Sequence, residues 1–268
     1  MYRKSAVAGQ FYPKTKDQLY QSIKKYTDAG AKKEDALAVI MPHAGYSYSG
    51  SVAGKTVSHV LVKETALIIG PNHTGLGVPY SIVASGIWQT PLGEVPINNE
   101  LATLLLKKSE FVKENEGAHV YEHSIEVEIP FLQFFNSKLS ILPMVISDFN
   151  IKHYAAVGQA IAEAIIEYKQ PVLIVASTDF THYESQESVK NKDEFALNAI
   201  LQLDAEKLIR EVSEKHISMC GFAPVAVTIF ASKRLGATQA ELINYKTSGD
   251  ISGDYDNVVG YAGIAIKR

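Results

Sequence analysis

Three histidines in this chain occupy the same kind of place. His43 in VIMPHAGY (39–46), His73 in ALIIGPNHTG (66–75) and His182 in VLIVASTDFTH (172–182) each follow an apolar run, among Gly, Pro, Asn, Ser and Thr. Imidazole titrates near neutrality and is the most frequent metal ligand among side chains, so it suits both proton transfer and metal binding. A single histidine in such a setting is ordinarily a surface or structural residue. Three at equivalent positions point to one shared site.

Other reactive groups gather near the same stretches. Asp179, three residues before His182, either ligates a metal, orients an imidazole and raises its basicity, or caps the next turn. Cys220 is the only cysteine and opens CGFAPVAVTIFASKRLG, which reads as a helix ending at Gly236. A thiol near a helix N-terminus feels the positive end of the dipole, which favours thiolate and hence metal binding or nucleophilic chemistry. The plain alternative is a small buried hydrophobe. In YEHSIEVEIPFLQFF (121–135), Glu122 and Glu126 are one helical turn apart, so His123 can enter a cleft at a helix entrance. Glu126 and Glu128 read as part of a solvated first turn. His59, His119, His153 and His216 have no comparable surroundings and read as surface residues. Tyr46, Tyr183 and Tyr255 either line the cleft or pack.

The elements that must position these groups follow from apolar patterning. ALAVIM (36–41), ALIIG (66–70), LSILPMVI (139–146) and PVLIVAS (171–177) are short continuous apolar runs, the pattern of interior strands buried on both faces of a largely parallel sheet. Segments of helical periodicity, at 15–28, 50–63, 98–108, 124–135, 152–168 and 186–200, alternate with them. That alternation predicts an α/β fold in a single domain (1–268), with a central mostly parallel sheet and helices on both faces. The turn-rich QTPLGEVP within 80–98 predicts an inserted hairpin, and AELINYKTSGD with VVGYAGIAI predicts a closing antiparallel pair. In open α/β sheets ligands gather beyond the carboxyl ends of the strands, where His43, His73 and His182 can converge.

Composition narrows the classes. The net charge of −3 leaves no broad positive surface for nucleic acid. One cysteine excludes an intramolecular disulfide and fits a reducing, cytoplasmic location. No apolar window reaches the roughly 18 residues needed to span a bilayer, and MYRKSAVAGQFYPKTKDQ lacks the core of a secretion signal. These features predict a soluble protein with no membrane and no nucleic acid partner.

Seven motifs, in order along nearly the whole chain, resemble the MEMO family, named for a mediator of cell motility. In bacteria and archaea the family is also called AmmeMemoRadiSam system protein B. The motifs are AGQFYP (8–13), PHAGYSYSG (42–50), GPNHTG (70–75), EHSIEVEIPFLQ (122–133), STDFTHY (177–183), CGFAP (220–224) and SGDYDNVVGYAG (252–263). The resemblance implies a fold similar to the class III extradiol dioxygenases, which hold non-haem iron(II) with two histidines and a glutamate. It implies His43 and His73 as metal ligands, Cys220 in place of the carboxylate, His182 at the acid/base position and Asp179 at its border. A thiolate softens such a site toward copper or zinc. The resemblance further implies iron or copper as cofactor, with zinc as a third metal, and an association with AMMECR-type and radical SAM proteins.

Three functions are compatible with these residues. The first is a metal-binding, dioxygenase-like redox protein in which His182, Asp179 and His123 serve catalysis and the ligand is an unknown small molecule or peptide. The second is a metal-dependent hydrolase acting through a metal-bound water. The third is a non-catalytic peptide or partner-binding protein using the same cleft.

Overall fold

In the computed structural model, which describes residues 1–268, the four apolar runs become the strands Ala38–Met41, Thr65–Pro71, Ser140–Ile146 and Val172–Ser177. They run parallel, in the spatial order 38–41, 172–177, 65–71, 140–146. Every residue in them except Ser140 is buried, which is why the sequence shows no polar alternation there.

Side chains alternate between the two faces. Ile40, Leu67, Ile69, Met144 and Ile174 pack with the helices Asn99–Lys108, Ile151–Tyr168, Gln186–Leu201, Ala205–Glu214 and Phe222–Arg234. Val39, Met41, Ile68, Val145 and Val175 face the helices Lys16–Tyr26, Tyr46–Ser58 and Ile129–Phe135. The sheet is therefore sandwiched, as the strand and helix alternation predicts.

The margins are antiparallel, which makes the nine-stranded sheet mixed. Tyr80–Ile82 runs against Ser140–Ile146 on one side, and Val258–Lys267 runs against Ala38–Met41 on the other. Val258–Lys267 also pairs with Gln239–Thr247 in the expected closing pair. The expected hairpin is Ile87–Thr90 with Gly93–Pro96, joined by Tyr2–Arg3 in a separate small sheet. No helix is long and apolar enough to cross a membrane.

Two helix boundaries differ from expectation in ways that shape the site. The helix expected at 50–63 starts at Tyr46, directly after the His43 loop, and ends at Ser58. The helix expected at 124–135 forms only from Ile129 to Phe135. Residues 124–128 are instead in turns held by buried polar contacts, among them the Ser124 hydroxyl donating to the Pro71 carbonyl at 2.8 Å. The helix Ala205–Glu214 was not anticipated, although Asp204 caps it by accepting from the Lys207 amide at 2.9 Å.

Candidate metal centre

His43, His73 and Asp179 each stand two residues past a parallel strand, after Met41, Pro71 and Ser177. This common offset brings them to one end of the sheet. His182 is not the third equivalent; it opens the short strand His182–Glu184 beside Val258–Val259. The third imidazole is supplied by His123, from the turn that precedes the helix Ile129–Phe135.

The ligating atoms of His43, His73 and His123 all lie within 4.8 Å of one another. The rings of His73 and His123 are stacked with centroids 4.7 Å apart, and both meet His43 edge-on at 5.2 and 5.5 Å. His43 is the deepest, only 2% exposed. Burial, and then the neighbouring imidazoles, hold its pKa well below the usual histidine range; burial also lowers that of His123.

A buried carboxylate organises two of these rings. Glu122 accepts from the His73 amide and from His73 Nδ1 at 3.0 Å, and also from the amides of His123 and Ser124. Burial alone would raise its pKa, but these donors bring it down to about 2. Adjacency to His123 was the only sequence signal for this role. His43 Nδ1 lies 2.7 Å from the Ser177 hydroxyl.

Cys220 adjoins from the other side, its sulfur 3.4 Å from His43 Nε2. It sits just before the helix Phe222–Arg234, as expected, yet removal from water and then the Asp179 carboxylate push its thiol well up. Burial thus outweighs the helix dipole, and the metal-free thiol is protonated. Gly221 is required here, because a Cβ would meet the Ser177 carbonyl and Thr178.

Asp179 does not hold the His182 ring. Its Oδ1 accepts from the His43 amide at 3.0 Å, and its pKa is pushed up to about 6 by burial, with His182 and backbone donors opposing. The His182 ring is oriented instead by Nδ1–H donating to the Ser218 carbonyl at 2.8 Å. Both residues line the same cleft of about 530 Å³ as the three imidazoles, together with Phe11, Tyr48, Tyr183 and Tyr261. Tyr48 and Tyr261 were missed. Tyr46 is a packing residue whose hydroxyl donates to the Val127 carbonyl, and Tyr255 lies outside the lining set.

Glu126 and Glu128 are buried, contrary to the solvated turn expected, because the chain there is not helical. Glu126 ties down the first residues of the chain. It accepts from Arg3 at 2.6 Å, from the Tyr12 hydroxyl at 2.6 Å and from the amides of Ala6 and Val7. This knot leaves Phe11 against His123, ring centroids 4.8 Å apart. Of the histidines expected at the surface, His216 is exposed and His59 and His153 are half-buried. His119 is fully buried beside Trp88, with Nε2 3.0 Å from the Ser81 carbonyl and its pKa lowered to about 4 by burial.

The chain is thus an α/β protein with a parallel-centred sheet and three imidazoles past its strand ends that could hold a metal ion. A crystal structure described as an uncharacterized protein from Escherichia coli K12 shares this fold, with a TM-score of 0.55 at 12% identity over 84% of this chain and 98% of that one. The model of the Memo-like protein family matches residues 3–265. MEMO1 family proteins of Methanopyrus kandleri and Methanococcus maripaludis are 40% and 41% identical over the full length of both chains. That of Pyrobaculum arsenaticum is 40% identical over 99% of each chain. The chain belongs to the Memo-like family.

Proposed function

We propose that the cleft is the transition-metal centre of a dioxygenase-like redox protein. The observation that carries this reading is the convergence of the His43, His73 and His123 ligating atoms within 4.8 Å. The donor set fits a metal. Imidazole suits iron, copper and zinc, and the lowered pKa values of His43 and His123 keep both rings neutral, so no proton has to leave them on binding. Cys220, beside His43 Nε2, is the further donor; on ligation it would lose its proton and turn the site toward copper.

A bound metal would supply Lewis-acid or one-electron chemistry to a small ligand in the cleft. The chain's own residues then have separate tasks. His182, with Nδ1–H on the Ser218 carbonyl, keeps Nε2 as the atom that takes up or releases a proton. Asp179 fixes the His43 loop through its amide. Phe11 and Tyr261 narrow the cleft and limit water.

The test is elemental analysis and EPR on protein purified without oxygen, comparing wild type, His123→Ala and Cys220→Ala. Near-stoichiometric iron or copper, diminished in both variants, is expected. Loss in Cys220→Ala alone would reduce the ligand set to His43, His73 and Cys220. A wild type that binds no transition metal on titration would sink the reading.

The exposed rim favours a second use of the same cleft. Tyr183 and Tyr48 are 74% and 45% exposed at its mouth, a disposition suited to contacting a peptide or protein partner. Capture of an AMMECR-type or radical SAM protein that persists after chelation would support that reading over catalysis.

A further inference from the structure

Two cleft imidazoles are committed by partners that can only accept. His73 Nδ1 faces the ionised Glu122 carboxylate at 3.0 Å and His182 Nδ1 faces the Ser218 carbonyl at 2.8 Å, so each carries Nδ1–H. His43 has no such partner. Its Nδ1 meets the Ser177 hydroxyl, which can donate or accept, and the choice decides whether Nε2 presents a lone pair or a proton to the cleft.

The surroundings of Ser177 decide it. Its oxygen lies 2.7 Å from the Ser124 carbonyl and 3.0 Å from Glu128 Oε1, and all three residues are completely buried. The hydroxyl has one proton, and the Ser124 carbonyl cannot donate. Were that proton turned to His43, the hydroxyl oxygen would face a bare carbonyl at van der Waals distance or less, with no water to intervene.

Glu128 supplies the remaining part. Its Oε2 has no hydrogen-bond partner, and Ser177 is the only side chain hydrogen-bonded to it. An ionised carboxylate there would be a buried charge without a counter-charge. Burial accordingly raises its pKa well above the usual carboxylate range, and the Asp179 carboxylate adds to this.

We propose that Glu128 stands behind His43 as a buried neutral acid: its O–H donates to Ser177 Oγ, Ser177 donates to the Ser124 carbonyl, and Ser177 Oγ thereby accepts Nδ1–H of His43 and turns a bare Nε2 toward His73, His123 and Cys220. Glu128 and Ser177 are positioning residues, acting only through His43. The inference deepens the metal-centre reading, but the tautomer itself does not depend on a metal being bound.

Two measurements on metal-free protein test it. Long-range ¹H–¹⁵N correlation of labelled histidines should show His43 protonated at Nδ1 at neutral pH. Infrared difference spectra of wild type against Glu128→Gln should show a buried carboxylic-acid C=O stretch lost in the variant. Ser177→Ala removes the acceptor and should mix the His43 tautomers and weaken zinc binding by about 10–100-fold. Glu128→Leu should loosen the tautomer in the same direction, and Glu128→Gln, whose amide can still donate, should restore Nδ1–H. An Nε2–H tautomer in wild type, or absence of the acid band, overturns the inference without any variant having to fold. If the tautomer and band are present while wild type binds no metal, the relay stands and the metal-centre reading falls.

Discussion

The two ends of the sheet make an instructive pair. The hollow at the amino ends of the parallel strands, bordered by Glu34, Asp35, Lys63 and Lys267, has a volume of about 710 Å³ against about 530 Å³ for the cleft at the carboxyl ends. Both acidic side chains that border it are ion-paired: Lys63 pairs with Asp35, and Lys267 bridges Glu34 and Glu241. At the carboxyl ends, three imidazoles bring ligating atoms within 4.8 Å of one another. The smaller hollow is the candidate site because three of its ligating groups converge on one point.

If that contrast is right, substitutions at the two ends should differ in kind as well as size. His73→Ala removes a ligating atom and should reduce metal affinity by more than about 100-fold, beyond the range usual for an outer partner, as read by calorimetric titration. A variant that binds as wild type does would erase the distinction between the ends.

Next comes a pH effect in metal-free protein. The Asp179 pKa is about 6 in the folded chain against an ordinary 3.8, so its charged form is disfavoured by folding. The associated stability is complete below 3.8 and is lost as pH rises through about 6. Asp179→Asn, which keeps an acceptor for the His43 amide, should flatten that slope by on the order of a few kcal/mol in thermal unfolding followed across the window.

Glu122→Gln exchanges an ionised acceptor for an amide and should weaken metal binding by about 10–100-fold. Because the Glu122 pKa falls from 4.5 to about 2, its contribution to stability is present above 4.5 and fades toward 2. Acid unfolding of the variant should lack that component. Smallest of all, Lys267→Met at the amino end should cost at most about 1 kcal/mol and leave metal titration unchanged. A larger metal effect there would mean the two ends are coupled.

The strands were legible because burial on both faces removes polar residues from a run, as in ALIIG and VLIVAS. The same runs located His43 and His73, since a fixed offset past a strand end is a property of local sequence. His123 and His182 were harder to rank. Helical spacing suggested that Glu126 and Glu128 lie in a solvated first turn, but Pro130 and the Ser124 contact to Pro71 delay the helix to Ile129. Glu122, Glu126 and Glu128 then take three jobs: one holds His73, one holds the N-terminal segment and one backs Ser177. No spacing rule reveals this, because the partners are distant in sequence; Arg3 is 123 residues from Glu126. Tyr261 was hidden for the same reason, since it reaches the cleft from the last strand of the chain.

The Glu126 knot also bears on the order in which the cleft is completed. Residues 3–12 are synthesised before the carboxylate that gathers Arg3, Ala6, Val7 and Tyr12, which is made more than a hundred residues later. Contacts of such separation carry a loop-closure cost and form slowly. Phe11 can settle against His123 only after the opening of the chain has waited for its middle, so a growing polypeptide passes through a stage in which the His43 and His73 segments exist while one wall of their cleft is still unbuilt.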